Sequence, residues 1–185
     1  MKIAIFGGSF DPPHVGHEKI AIKVLKELDI NKLIVIPTFI NPFKTKTLLK
    51  SETRLELLKK LFNNISNIIV SDIETNNKAP SYSINTLKKL INIYKPTKIY
   101  FIIGTDNLEH LETWEGFDEI NSCVTFVQIR RAGFLNKNYD KMIYLDLNID
   151  ISSTELRDNL NLEFIPKLIK EDIKIIFDKI KGKIN

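Results

Sequence analysis

Six short apolar runs rich in Ile and Val, separated by amphipathic stretches, constrain the fold of this chain more than any other feature. The runs fall at Lys2–Phe6, Leu33–Ile36, Ile68–Asp72, Lys98–Ile103, Val124–Ile129 and Met142–Leu145. They are continuous, not alternating, as strands are when both faces of a sheet are covered. Helical periods lie between them. His17–Leu28 sets Ile20, Ala21, Val24, Leu25 and Leu28 on one face, and Ser51 stands as an N-cap before Leu55, Leu58, Leu61 and Phe62. Tyr82–Tyr94 carries Leu87, Leu90 and Ile91 until Pro96 stops it, and a last helix is expected from about Lys167 to Ile180. Parallel strands need crossover helices, so this alternation predicts an α/β fold with a doubly wound parallel sheet. The absence of a linker or repeat predicts a single domain over 1–185, with C-terminal helices from about residue 152. Such sheets bind ligands beyond the carboxyl ends of their strands, where the strand order reverses.

Composition narrows the class. The 43% hydrophobic content suits a folded globular chain, and no apolar run approaches the ~20 residues of a membrane span. The N-terminal apolar run is too short for a signal peptide, and one cysteine, Cys123, permits no intramolecular disulfide. A cytoplasmic protein is expected. The net charge is +4, but Lys167 to Lys183 interleaves Lys with Asp and Glu as a solvated helix face does. Dispersed charge predicts neither a nucleic-acid partner nor a membrane partner.

The chemistry sits after the runs. The first ends in Gly7-Gly8-Ser9-Phe10-Asp11-Pro12-Pro13-His14-Val15-Gly16-His17. The two glycines let backbone approach a ligand or take positive φ, and the prolines stiffen the loop and delay the helix. A helix starting near Gly16 puts two imidazoles beside free N–H groups, an anion site suited to a polyphosphate. Two rivals remain: a metal site with Asp11 as third ligand, and a plain structural turn. Neither a G-x-x-x-x-G-K-[ST] nor a G-x-G-x-x-G pattern is present. Lys44 follows the second run in a Pro-braced loop, where it meets phosphate or simply solvent. Ser81-Tyr82-Ser83-Ile84 opens the third helix, and Gly104-Thr105-Asp106 follows the fourth run, Asp106 suiting ribose hydroxyls or a helix cap. Trp114, the only Trp, is a stacking plate or a core residue. Arg130-Arg131 ends the fifth run, and Ser152-Ser153-Thr154-Glu155-Leu156-Arg157 offers hydroxyls and an Arg at a helix start.

Together these segments resemble the nucleotidylyltransferase superfamily of the His-x-Gly-His type, and most closely the bacterial nicotinate mononucleotide adenylyltransferases. The resemblance runs from residue 3 to about 160. It implies a Rossmann-like sheet and transfer of AMP from ATP to nicotinate mononucleotide, giving nicotinate adenine dinucleotide and pyrophosphate in NAD biosynthesis. It further implies catalytic roles for His14, His17 and Lys44. ATP would be bound by those three with Gly7, Gly8, Ser9, Phe10, Gly104, Asp106, Ser153, Thr154 and Arg157. The acceptor would be bound by Tyr82, Ser83, Ile84, Trp114 and Arg131. Mg2+ would accompany ATP, held mainly by phosphates and by no protein carboxylate cluster. Phe43, Asn85 and Ala132 depart from the family pattern of His, Asp and Pro. Two other readings stay open: nucleotidyl transfer to another phosphorylated metabolite such as phosphopantetheine, and a non-catalytic nucleotide- or RNA-binding module. Oligomeric state is open too, a homodimer included.

Overall fold

The computed structural model describes residues 1–40, 47–77, 79, 81–104, 108, 110–130, 142–147, 151, 153, 156–157 and 161–184, and the structural statements that follow concern those. The strands are β1 (Lys2–Gly8), β2 (Lys32–Pro37), β3 (Ile68–Val70), β4 (Lys98–Gly104), β5 (Thr125–Arg130) and β6 (Ile143–Asp146). All pair in parallel, in the order β3-β2-β1-β4-β5-β6. That is the Rossmann-like doubly wound arrangement. The order reverses at β1, so the crevice between the carboxyl ends of β1 and β4 is the switch point.

Period-two side-chain alternation divides each continuous run between two cores. Ala4, Phe6, Leu33 and Val35 face a core shared with α1 (Val15–Glu27), α2 (Ser51–Phe62) and α5 (Lys167–Ile184). Ile3, Ile5, Ile34 and Ile36 face the opposite core, under α3 (Ser83–Tyr94) and α4 (Phe117–Cys123). α5 closes the first core with Ile169, Ile173 and Phe177, at the C-terminal position expected.

Two details differ from the sequence expectation. Ser51 is the first helical residue of α2, with Lys50 at the N-cap and no side-chain cap bond. Its side chain is turned inward and buried, which takes it away from the terminal N–H groups. The seven-residue α4 was not anticipated, because Phe117 and Ile120 are too few to set a helical period. It starts at Gly116, whose φ of +72° favours glycine and where a Cβ would lie 3.0 Å from Ile84 Cγ1.

Candidate active site

β1 delivers its last two residues to the switch point. Gly7 and Gly8 are extended members of the strand, paired with Ile36 and Pro37, so they serve close approach and not positive φ. An added Cβ at Gly7 would meet nothing within 4 Å, whereas one at Gly8 would press the Phe10 ring at 3.1 Å. The chain then turns through Phe10, whose φ of 48° puts a bulky residue in the left-handed region. Phe10 is held there by burial, with its ring edge-on to Phe6 and to His17 at centroid distances of 5.2 and 4.7 Å. Only its backbone can face a ligand.

Two buried ionic side chains fix this turn. Asp11 accepts the Leu48 and Leu49 N–H groups, one on each carboxylate oxygen, at 2.8 Å each. Both oxygens are thereby engaged in holding the loop, which gives Asp11 a structural role. No group of three His, Cys, Asp or Glu side chains placed to hold a metal occurs among the described residues. Arg54, on α2 and fully buried, donates to the carbonyls of Ser9, Thr38, Phe39 and Leu49 at 2.6–3.2 Å. It ties the β1 and β2 loops together. Burial holds its pKa below the usual guanidinium value, with Asp11 and then Glu52 opposing that shift. Neither role was read from the sequence. Arg54 does interrupt the apolar face of Leu57, Leu58 and Leu61 at helical spacing, and that was the available signal.

His14 is the N-cap of α1 and His17 its third helical residue. The helix thus begins one residue before Gly16. His14 Nδ1 accepts the Gly16 N–H at 3.1 Å, and His17 Nδ1 accepts the His14 N–H at 3.2 Å. The pair forms a capping box made of histidines. With both Nδ1 atoms accepting, the proton of each neutral ring sits on Nε2, and each ring has Nε2–H as its donor. The rings stack with centroids 3.7 Å apart. The loop, the helix N-terminus and the two imidazoles form an anion-binding arrangement.

The C-terminal segment folds back onto the same loop. Arg157 donates to the Asp11 carbonyl at 2.8 Å, and Ser153 contacts the Pro12 carbonyl at 3.5 Å. Residues 141 and 146 positions apart in sequence therefore meet in the histidine loop. Lys44, Asp106, Arg131 and Thr154, expected at the site from the sequence, lie outside the described residues. Gly104 sits exposed at the end of β4 with open space around it and does not line the cavity.

That cavity, of about 470 Å3, opens beside Gly7 and Gly8. It gathers the expected acceptor residues Tyr82, Ser83 and Trp114, and adds Thr38, Glu74 and Thr86, which the sequence did not single out. Trp114 is half-buried, makes a T-shaped contact with Phe101 at a centroid distance of 6.0 Å, and lines the cavity. Tyr82 is the N-cap residue of α3 and has no side-chain cap bond, so neither Ser81 nor Ser83 caps the helix. Ile84 is buried against Gly116, and only its backbone is available to a ligand. Asn85 points to solvent, which makes its departure from Asp inconsequential for the cavity.

A switch-point crevice with a histidine-capped anion site on one side and an aromatic cavity on the other defines the nucleotidyltransferase class of this fold. The cytidylyltransferase-like family matches residues 5–159, and the chain belongs to it. Within it, the chain belongs to the nicotinate-nucleotide adenylyltransferase family. A relative from Aliarcobacter butzleri, named "Probable nicotinate-nucleotide adenylyltransferase", is 46% identical over 185 residues, covering all of both chains. One of the same name from Campylobacter jejuni is 40% identical over 182 residues, covering 98% of this chain and 99% of its own. Among solved structures, the fold is similar to Plasmodium falciparum nicotinic acid mononucleotide adenylyltransferase complexed with NaAD. That match has a TM-score of 0.78 at 22% identity and covers 96% of each chain. No helix among the described residues is long and apolar enough to cross a membrane.

Proposed function

We propose that this protein transfers AMP from ATP to nicotinate mononucleotide, releasing pyrophosphate and forming nicotinate adenine dinucleotide for NAD biosynthesis. The observation that carries the reading is that one loop at the switch point ends in the His14–His17 capping box and, through Gly7 and Gly8, also walls the aromatic cavity. The family relationship supports it independently, since the relatives named above carry that activity in their names.

A phosphate monoester is anionic near neutral pH, so the acceptor needs no general base. One of its oxygens attacks the α-phosphorus of ATP, the bond from that phosphorus to the bridging oxygen breaks, and pyrophosphate leaves with the electron pair. Catalysis is then positioning and charge stabilisation. His17 meets the charge that builds on the α-phosphate, and His14 holds the adjacent phosphates, each through Nε2–H. Ser153 and Arg157 sit against the same loop and, with Lys44 and Thr154, complete the triphosphate site. Gly7 and Gly8 let the nucleotide lie directly on backbone, while the family resemblance assigns Asp106 to a ribose and Arg131 to the acceptor. Trp114 stacks on the pyridine ring, and the backbone N–H groups of Ser83 and Ile84 at the N-terminus of α3 receive its carboxylate. The donor set fits Mg2+ carried on ATP oxygens: Asp11 is committed to backbone N–H groups, and phosphate is the hard oxygen ligand this ion takes. The ion would supply charge neutralisation on the leaving pyrophosphate.

His17→Ala tests the assignment. kcat is expected to fall by about 10²–10³-fold, the scale of one lost oxyanion donor, with the thermal transition retained. Turnover equal to wild type would refute it. Transfer to an aliphatic acceptor such as phosphopantetheine is disfavoured by the aromatic cavity, which such a substrate does not need.

A further inference from the structure

The acceptor cavity contains a buried acid that the mechanism above does not use. Glu74 follows β3, lines the cavity, and has 6% of its surface exposed. One carboxylate oxygen, Oε1, accepts the Thr86 hydroxyl at 2.7 Å. The other, Oε2, is buried without a hydrogen-bond partner. Ser81 Oγ lies 3.3 Å from Thr86 Oγ1. Since Thr86 spends its only proton on Glu74, Ser81 is the donor to Thr86. The chain of hydroxyls therefore runs toward Glu74, and each bond polarises the next. An unmet buried acceptor costs stability and calls for a compensating partner.

The rest of the cavity indicates what that partner is. Its described lining has a second acid, the exposed Glu115, and neither Lys, Arg nor His. The lining is therefore suited to a positive charge, and Trp114 adds an aromatic face that favours a cation over a neutral ring. We propose that Glu74 sets the charge specificity of the acceptor site by serving as counter-charge to a ring bearing a fixed positive charge. This rests on the reading that the acceptor is a pyridine mononucleotide, whose ring nitrogen is quaternary once glycosylated. The same ligand carries both charges: its carboxylate meets the backbone N–H groups that open α3, and its ring meets Glu74, which is itself bonded to Thr86 on the first turn of that helix. Burial raises the Glu74 pKa, with the Thr86 hydrogen bond and then Lys89 opposing the shift. A cationic ring favours the ionised form in turn.

The test compares two ligands on three proteins. Nicotinate mononucleotide carries the ring cation. The benzoate C-riboside 5′-phosphate, with carbon in place of the ring nitrogen, keeps the carboxylate and phosphate but has a neutral ring. Dissociation constants are measured by calorimetry for wild type, Glu74→Gln and Glu74→Asp, with pyrophosphate release assayed in parallel. Wild type is expected to prefer the cationic ring by about 10-fold or more, the scale of one partly screened charge pair. In Glu74→Gln the preference collapses to about 2-fold or less through loss of cation binding, and in Glu74→Asp it survives. Glu74→Gln is also expected to keep or raise Tm at pH 8, because it removes an ionisable group that burial disfavours; a purely structural role would lower it. Equal weakening of both ligands, or an unchanged preference, overturns the inference. Wild type releasing no pyrophosphate with nicotinate mononucleotide would overturn the acceptor reading as well, so the two failures are distinct.

Discussion

The loop from Gly7 to His17 and the cavity beside it are built on opposite principles. In the loop, ionic side chains are spent on the protein itself: Arg54 on four carbonyls, Asp11 on two N–H groups, and each histidine Nδ1 on backbone. In the cavity, Glu74 Oε2 and Thr38 Oγ1 are buried with no partner. The difference follows from what each region must do. Stabilising charge that appears only in the transition state demands donors that do not move, so their orientation is fixed in advance. Recognising a ligand that comes and goes leaves polar atoms to be satisfied by that ligand.

The contrast can be broken at several points. The largest effect belongs to Arg54→Met. It strands four carbonyls and the charge of Asp11 in the interior, and denaturant unfolding should show a loss of about 3–5 kcal/mol. A loss under 1 kcal/mol would mean that the loop is not held as described. Next comes Trp114→Ala on the cavity side. The KM for nicotinate mononucleotide should rise about 10-fold, some 1.4 kcal/mol, with the KM for ATP nearly unchanged, and the Tm should fall because the ring also packs on Phe101. A rise in the KM for ATP alone would assign the ring to the wrong substrate.

Gly7→Ala separates fold from ligand space most cleanly. Its Cβ would enter open space in the free protein, so stability should stay within about 0.5 kcal/mol. Substrate KM should nevertheless rise by about 10-fold, because that space belongs to the ligand. The smallest effect is expected far from both regions. Asp146→Asn removes the Arg130–Asp146 pair on a sheet edge, whose Asp side chain is 73% exposed, and should cost about 0.5 kcal/mol or less with activity intact.

What could be read from the chain divides along the same line. The sheet was legible because Ile3 and Ile5, or Ile34 and Ile36, sit in continuous apolar runs that only a two-faced sheet can bury. The histidine loop was legible because Gly, Pro and His each restrict the backbone or bear a distinctive donor, and they stand within eleven residues. Arg54 and Glu74 were not legible. Their roles depend on contacts 12 to 45 residues away in sequence, with the Thr86 hydroxyl and the Ser9 carbonyl, and a charged residue in a helix or turn is by default a solvated one. Ser51 misled for a related reason: propensity proposes a cap, while burial decides where the side chain turns.

The central claim is that the cavity beside the histidine cap receives an aromatic mononucleotide. The most direct measurement is pyrophosphate release from ATP across a panel of acceptors, nicotinate mononucleotide, nicotinamide mononucleotide and phosphopantetheine, at equal concentration. The account predicts release with nicotinate mononucleotide, in step with nicotinate adenine dinucleotide, and none with phosphopantetheine. Release driven by phosphopantetheine, or by no acceptor in the panel, would contradict it.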